Sequence, residues 1–182
     1  MNRYLIHTLL PLVFSLVLAL NPAASAAELS IAVVDVQKLL TQSEAAKSIQ
    51  VQVQAEREKF LTKLSKEEES LRSMEKELMD KGQDLSQDER MEKRKAFEEK
   101  FNETQRAAQE AKARIETAVV DAMAKLNQEA FKAVEAIAEE KGYNLILAKQ
   151  HVVASDKSID ISEESMERLN ASIKDIKVQI EQ

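Results

Sequence analysis

The hexapeptide Lys81-Gly82-Gln83-Asp84-Leu85-Ser86 separates two long charged segments, which run from about residue 47 to 81 and from about 86 to 141. Both segments repeat apolar residues at helical spacing. Ser86 and Glu89 form a capping box, which marks the start of a helix, and Gly142 suits a left-handed helix end. We interpret these segments as one long antiparallel helical hairpin.

The apolar residues of both segments recur in alternating steps of three and four, the heptad pattern of coiled-coil packing. At about 1.5 Å per residue the first helix is about 50 Å long and the second about 80 Å. The surplus of the second helix, from about residue 119, must therefore pack against another part of the chain. The predicted seam contains Val53, Arg57, Phe60, Leu64, Glu67, Leu71, Met74 and Leu78 in the first helix, and Phe97, Phe101, Thr104, Ala108, Ala111, Ile115, Val119, Ala122, Leu126, Ala130, Val134 and Ile137 in the second.

Residues 1–26 have the pattern of a cleavable signal peptide: Arg3 precedes an apolar run, and Ala24-Ser25-Ala26 forms a small-residue cleavage site. An uncleaved membrane anchor is the alternative, although the apolar run is short for a bilayer span. The chain lacks cysteine, so we expect a soluble mature protein outside the cytoplasm without disulfides. Its net charge of −6, which becomes −7 without Arg3, argues against nucleic-acid binding.

Strand patterns flank the hairpin at both ends. Residues 29–36 are apolar on both alternating faces, residues 143–148 and 152–154 form two further predicted strands, and Ser162 is the predicted cap of a last helix. Its predicted apolar stripe extends to Ile180. Such a small sheet cannot cover itself, so we expect several chains to complete one core.

The predicted fold class is therefore α+β, with a coiled-coil arm projecting from a small β body completed by oligomerisation. We assign residues 1–26 to the signal peptide, 27–46 and 119–182 to the body, and 47–118 to the arm, with its tip at 81–86.

No residue pattern predicts catalysis. His151 stands alone after the first 26 residues, and neither a Gly-rich phosphate loop nor zinc-ligand spacing occurs. The run Glu67-Glu68-Glu69 fans around a helix and does not converge on a metal. Asp35 is expected to end the first strand or to cap the following turn. We predict no enzyme activity, no catalytic residue, no cofactor and no metal.

The whole chain after the signal segment resembles the Skp/OmpH-like family of periplasmic chaperones. The resemblance is carried by Ile31-Ala32-Val33-Val34-Asp35-Val36, by Leu39-Leu40, by Tyr143-Asn144-Leu145-Ile146-Leu147, and by the segments 152–154 and 160–162. It implies a homotrimer with a jointly formed β body and three helical arms around a cavity. The cavity would hold unfolded outer-membrane proteins in the periplasm without nucleotide.

Three groups of residues are candidates for this function. Flexible apolar side chains near the arm end are candidates for client binding, with closure of the seam as the alternative. A basic cluster near the tip is a candidate contact for anionic lipid or lipopolysaccharide, with neutralisation by neighbouring glutamates as the alternative. The client-binding candidates are Met74, Leu78, Met79, Leu85 and Met91; the basic cluster is Arg90, Lys93, Arg94 and Lys95; the oligomer body contains Ile31, Val33, Leu145, Leu147, Val153 and Ile161.

Two functions follow from this pattern. The first is an ATP-independent holdase for unfolded outer-membrane proteins, which predicts an open cavity and a broad choice of clients. The alternative is a structural coiled coil of the cell envelope that binds one folded partner, which predicts closed and self-satisfied arms. The acidic net charge differs from the basic character of the best-known family member, so lipopolysaccharide binding stays an open expectation.

Overall fold

The computed structural model describes residues 29–81 and 84–180. The predicted signal peptide lies outside the described residues, as do Gly82 and Gln83 at the predicted tip. The order of elements is strand β1 (Ile31–Val34), helix α1 (Val36–Gln42), helix α2 (Glu44–Lys81), helix α3 (Gln87–Lys141), strand β2 (Leu145–Ala148), two short 3-10 turns (Lys149–His151 and Lys157–Ile159) and helix α4 (Ser162–Ser172).

Strands β1 and β2 pair in parallel, although the entire hairpin separates them in sequence. Ile31 lies opposite Leu145, and Val34 lies opposite Ala148. The hairpin thus acts as the crossover connection that a parallel pair requires. The α+β class with a long helical hairpin and a small sheet is confirmed.

The prediction of a strand at residues 152–154 was wrong. The main-chain N–H of Val152 turns back to donate to the carbonyl of Lys149 at 3.0 Å. The free edge of β1 is used instead by a parallel bridge between Val33 and Asp160, and the N–H of Ile161 donates to the carbonyl of Val33 at 2.9 Å. The later segment therefore supplies the second neighbour of β1, and residues 152–154 form no strand.

Asp35 ends β1 and caps α1, as predicted. Its carboxylate accepts a hydrogen bond from the main-chain N–H of Lys38 at 2.9 Å, which satisfies one of the free donors of the first turn. An extended Ser43 separates α1 from α2, and its hydroxyl accepts from the N–H of Ala46. The first long helix therefore begins at Glu44.

Helices α2 and α3 form the antiparallel hairpin, and its predicted ends are confirmed. The Ser86 hydroxyl accepts from the N–H of Glu89, whose carboxylate accepts from the N–H of Ser86. Gly142 ends α3 with a φ of 71°, a conformation that glycine adopts without strain. No helix within the described ranges is long and apolar enough to cross a membrane.

The seam differs from the prediction at two positions. Arg57 and Phe101 are exposed, and Lys100 turns toward α2 in place of Phe101. The ammonium of Lys100 lies 2.5 Å from the carboxylate of Glu67, the residue that had interrupted the apolar pattern. The pairing of Lys100 with Glu67 explains the shift, which is local because the next predicted seam residue, Thr104, is buried.

The surplus end of α3 packs on the rest of the chain, as its length predicts. Leu126 and Ile137 are completely buried in one core with Leu39 of α1 and Leu169 of α4. Charged pairs close the outside of this core: the Arg168 guanidinium binds both carboxylate oxygens of Glu140 at 2.6 Å.

Two predictions about the last helix were wrong. Ser162 is its first helical residue and not its cap; its hydroxyl instead accepts from the N–H of Asp35 at 2.8 Å. Helix α4 ends at Ser172, well before Ile180. The residues after it run extended along the hairpin because the side chain of Gln52 binds their main chain.

Candidate functional site

The five methionine and leucine candidates near the hairpin end fall into two groups. Met74 and Leu78 are half-buried at seam positions and close the hairpin, as does the half-buried Leu85 in the connection. Met79 and Met91 are 71% and 65% exposed. Neither is needed to close the seam, so both thioethers are free to contact another molecule.

Further apolar side chains lie on the hairpin surface. Val51, Leu61 and Val120 are exposed, and Phe101 stacks on Phe97 with ring centroids 6.3 Å apart. The seam count had placed Phe101 inside. The sequence did contain a signal for the exposure of Phe101. Glu67 lies in the predicted seam of the first helix, and Lys100, next to Phe101, can pair with it.

The basic cluster near the tip is paired. Arg94 and Lys95 lie 3.7 and 3.8 Å from the glutamates one helical turn later, Glu98 and Glu99. Lys93 reaches across the hairpin to Glu77 at 3.1 Å. The Arg90 guanidinium donates to the carbonyl of Leu85 at 3.3 Å. The cluster is therefore a balanced surface of both signs.

The sheet has one apolar face without a helix on it. Alternation places Ile31, Val33, Leu145 and Leu147 on this face, and the opposite face packs on the helical core. Leu145 and Leu147 are 41% and 37% exposed, whereas Val33 is buried within the chain. The face offers apolar area to a second molecule.

The other two body candidates differ in their surroundings. Ile161 is buried in the core beneath α4, and Val153 is fully exposed in the connection between β2 and α4. Beside the sheet, an apolar cavity of about 380 Å³ opens between β2 and α3. The largely exposed ring of Phe131 lines it, together with Val134, Tyr143 and Ile146.

The described residues contain no grouping of three or more His, Cys, Asp or Glu side chains placed to bind a metal. His151 is exposed, and its Nε2 lies 3.1 Å from the amide of Gln150. The most perturbed carboxyl is that of Asp160, where the Lys149 ammonium and the Ser162 hydroxyl lower the pKa to about 2. This network joins β1 to α4, and its geometry is that of a structural contact.

Comparison with known proteins agrees with this architecture. A Pseudomonas aeruginosa protein named Skp-like protein is 29% identical over 153 residues, which are 84% of this chain and 91% of that protein. A solved structure from Caulobacter crescentus, assigned as an outer membrane chaperone (OmpH-like), superimposes with a TM-score of 0.80 at 18% identity, over 85% of this chain and 91% of that one. At such identity the structural match shows the fold alone.

The family model described as outer membrane protein (OmpH-like) matches residues 30–169, from the start of β1 into α4. The match includes both strands and the complete hairpin. The chain therefore belongs to the OmpH-like family.

Proposed function

We propose that this protein is an ATP-independent holdase of the periplasm, which binds unfolded outer-membrane β-barrel proteins between helical arms and prevents their aggregation. The observation that carries the proposal is the exposure of Met79 and Met91 on a hairpin whose seam is closed by other side chains. Flexible thioethers adapt to many apolar partners, as a chaperone for varied clients requires.

We propose further that three copies assemble through the open face of the sheet. The exposed Leu145 and Leu147 on β2 support this assembly, because they leave apolar area of this face in water. The assembly would place three hairpins around a sheltered space. The predicted signal segment and family membership support a periplasmic location.

The test is the dilution of a urea-unfolded outer-membrane β-barrel protein into buffer without ATP, with and without the mature chain, while light scattering is followed. We expect suppression of scattering and a soluble complex at a few-to-one molar excess. Unchanged aggregation in the presence of a folded oligomer would favour the alternative, a structural coiled coil that binds a single folded envelope partner.

A matched pair of variants connects the activity to the hairpin end. Met79→Gln with Met91→Gln replaces both exposed thioethers by polar groups of similar length, and we expect a higher molar excess to be needed. Lys76→Gln with Glu92→Gln is the control, since it alters two exposed neighbours and leaves net charge unchanged. Equal suppression of aggregation by both double variants would show that Met79 and Met91 do not bind clients.

A further inference from the structure

Residues 173–180, here called the terminal segment, continue from α4 along the hairpin with a bend at Lys174, and from Ile176 to Ile180 their side chains alternate between buried and exposed. The side chain of Ile176 is buried, those of Val178 and Ile180 are half-buried, and Lys177 and Gln179 between them are exposed. Alternation with a period of two is the mark of extended backbone with one face against a core. The segment has the apolar-polar pattern of a β-strand without belonging to a sheet.

One edge of the terminal segment is paired by a side chain of α2. The carboxamide of Gln52 donates from Nε2 to the carbonyl of Ile176 at 2.9 Å, and its Oε1 accepts from the N–H of Val178 at 3.0 Å. A carboxamide that binds residues i and i+2 in this way replaces the peptide group of a neighbouring strand.

Contacts at either side hold the segment in register along α2. Lys174 lies 3.3 Å from Glu44, and the Asp175 carboxylate accepts from the Ser48 hydroxyl. Glu44, Ser48 and Gln52 lie one helical turn apart on one face of α2, and their contacts fix residues 174–178 along that face. The segment is thus a fixed edge, as a template for strand pairing must be.

The opposite edge is open. In an extended chain the N–H and C=O of Lys177 point away from the edge that Gln52 occupies. Across residues 29–81 and 84–180, neither of these main-chain groups of Lys177 has a hydrogen-bond partner. A groove of about 710 Å³ runs beside this edge, with small and charged side chains of α3 on one side and the terminal segment on the other. Its lining residues are Ala113, Arg114, Thr117, Ala118, Asp121, Ala122 and Lys125 of α3, and Asp175, Ile176, Lys177 and Gln179.

We propose that this edge is a strand-addition site, at which an extended segment of an unfolded β-barrel protein pairs with the main chain of Lys177 and lies in the groove. The proposal rests on the function proposed above, which supplies the occupant. Main-chain pairing recognises extended backbone of varied sequence, as a chaperone needs. Strands of membrane β-barrels alternate apolar and polar residues, and the groove offers both small apolar side chains, such as Ala118, and charged ones, such as Arg114 and Lys125.

Proline substitution tests the edge without disturbing the fold. Lys177→Pro removes the outward N–H, and the extended conformation of Ile176 is the one preferred before proline. The bonds to Gln52 remain, because they use Ile176 and Val178. Lys177→Ala is the matched control, which removes the charge and keeps the N–H.

The probe is a fluorescein-labelled peptide of alternating valine and threonine, about eight residues long, and the readout is fluorescence anisotropy. Loss of one main-chain hydrogen bond predicts an affinity about 3- to 10-fold weaker for Lys177→Pro. Lys177→Ala should stay within about twofold of the unmodified chain. Equal affinities for the proline and alanine variants, or no binding to the unmodified chain, would overturn the strand-addition site.

A second pair of variants tests the groove. Thr117→Trp fills it and should abolish peptide binding, whereas Glu116→Trp places the same ring on an exposed position of α3 outside the groove. Binding that survives Thr117→Trp would place the peptide elsewhere and contradict the proposal.

The aggregation assay on the same proteins separates the two proposals. If aggregation is suppressed but Lys177→Pro leaves the peptide affinity unchanged, the holdase function stands and the strand-addition site is excluded. Peptide binding that follows the predicted pattern, without suppressed aggregation, would retain the site and remove the holdase function.

Discussion

Asp160 is the residue on which the junction of strand, turn and helix depends. Its carboxylate accepts from the Lys149 ammonium at 2.7 Å and from the N–H of Ser162 at 3.0 Å. Ser162 in turn accepts from the N–H of Asp35. These contacts favour the ionised carboxylate, so the pKa of Asp160 falls from 3.8 to about 2.

We predict that Asp160→Asn destabilises the fold by about 1 kcal/mol at neutral pH, an amount reduced by the partial exposure of the pair. Because the folded pKa is lowered, this stabilisation is present above the unfolded pKa and is lost as the pH falls from about 4 to about 2. Urea unfolding of both proteins at fixed protein concentration measures the difference. A gap between variant and parent that is constant across this pH range would contradict the prediction.

Thr104 buries a hydroxyl oxygen for which the described residues offer no hydrogen-bond partner. It lies in the seam beside a cavity of about 150 Å³ that also contacts Phe60 and Ala108. We predict that Thr104→Val, which keeps the shape and removes the hydroxyl, stabilises the hairpin by about 1 kcal/mol. Thr104→Ser keeps the hydroxyl and loses the methyl group, so it should destabilise. Thermal unfolding midpoints of the unmodified chain and the two variants test this order. A valine variant less stable than the unmodified chain would mean that the Thr104 hydroxyl has a hydrogen-bond partner.

At the scale of the elements, charged pairs set the register of the hairpin. The Lys100 ammonium contacts the Glu67 carboxylate and stabilises its ionised form, so the pKa of Glu67 is lowered. We predict that Glu67→Lys lowers the melting temperature by a few degrees, and that adding Lys100→Glu restores most of it. High salt should shrink the difference, since the pair is partly exposed. An additive loss in the double variant would show that the two charges do not interact.

At the scale of the whole molecule, the bare sheet face predicts assembly. Leu147→Glu places a charge on the exposed part of the face, and we expect the proposed trimer to dissociate toward monomers in analytical ultracentrifugation. Leu61→Glu is the control, because Leu61 is also an exposed leucine but lies on the hairpin. A trimer unaffected by Leu147→Glu would exclude this face as the interface.

Local signals were sufficient where a few neighbouring residues determine the conformation. The capping box at Ser86, the glycine at 142 and the cap at Asp35 each satisfy main-chain groups within a few positions, so their sequence patterns predicted them. The long repeat of apolar residues predicted the hairpin itself. The one-residue shift at Phe101 was missed because the apolar count gave no weight to the possible pairing of Lys100 with Glu67.

By itself, the sequence determined the α+β class, the hairpin and the packing of its surplus end, because periodicity and length act along one segment at a time. The tertiary structure decided the partner of each strand edge: Asp160 pairs with β1, residues 152–154 form no strand, and Gln52 binds the main chain of Ile176 and Val178, where their apolar spacing had predicted helix. These contacts join groups that are more than a hundred residues apart in the chain. The spacing of residues within one segment contains no information about such distant partners.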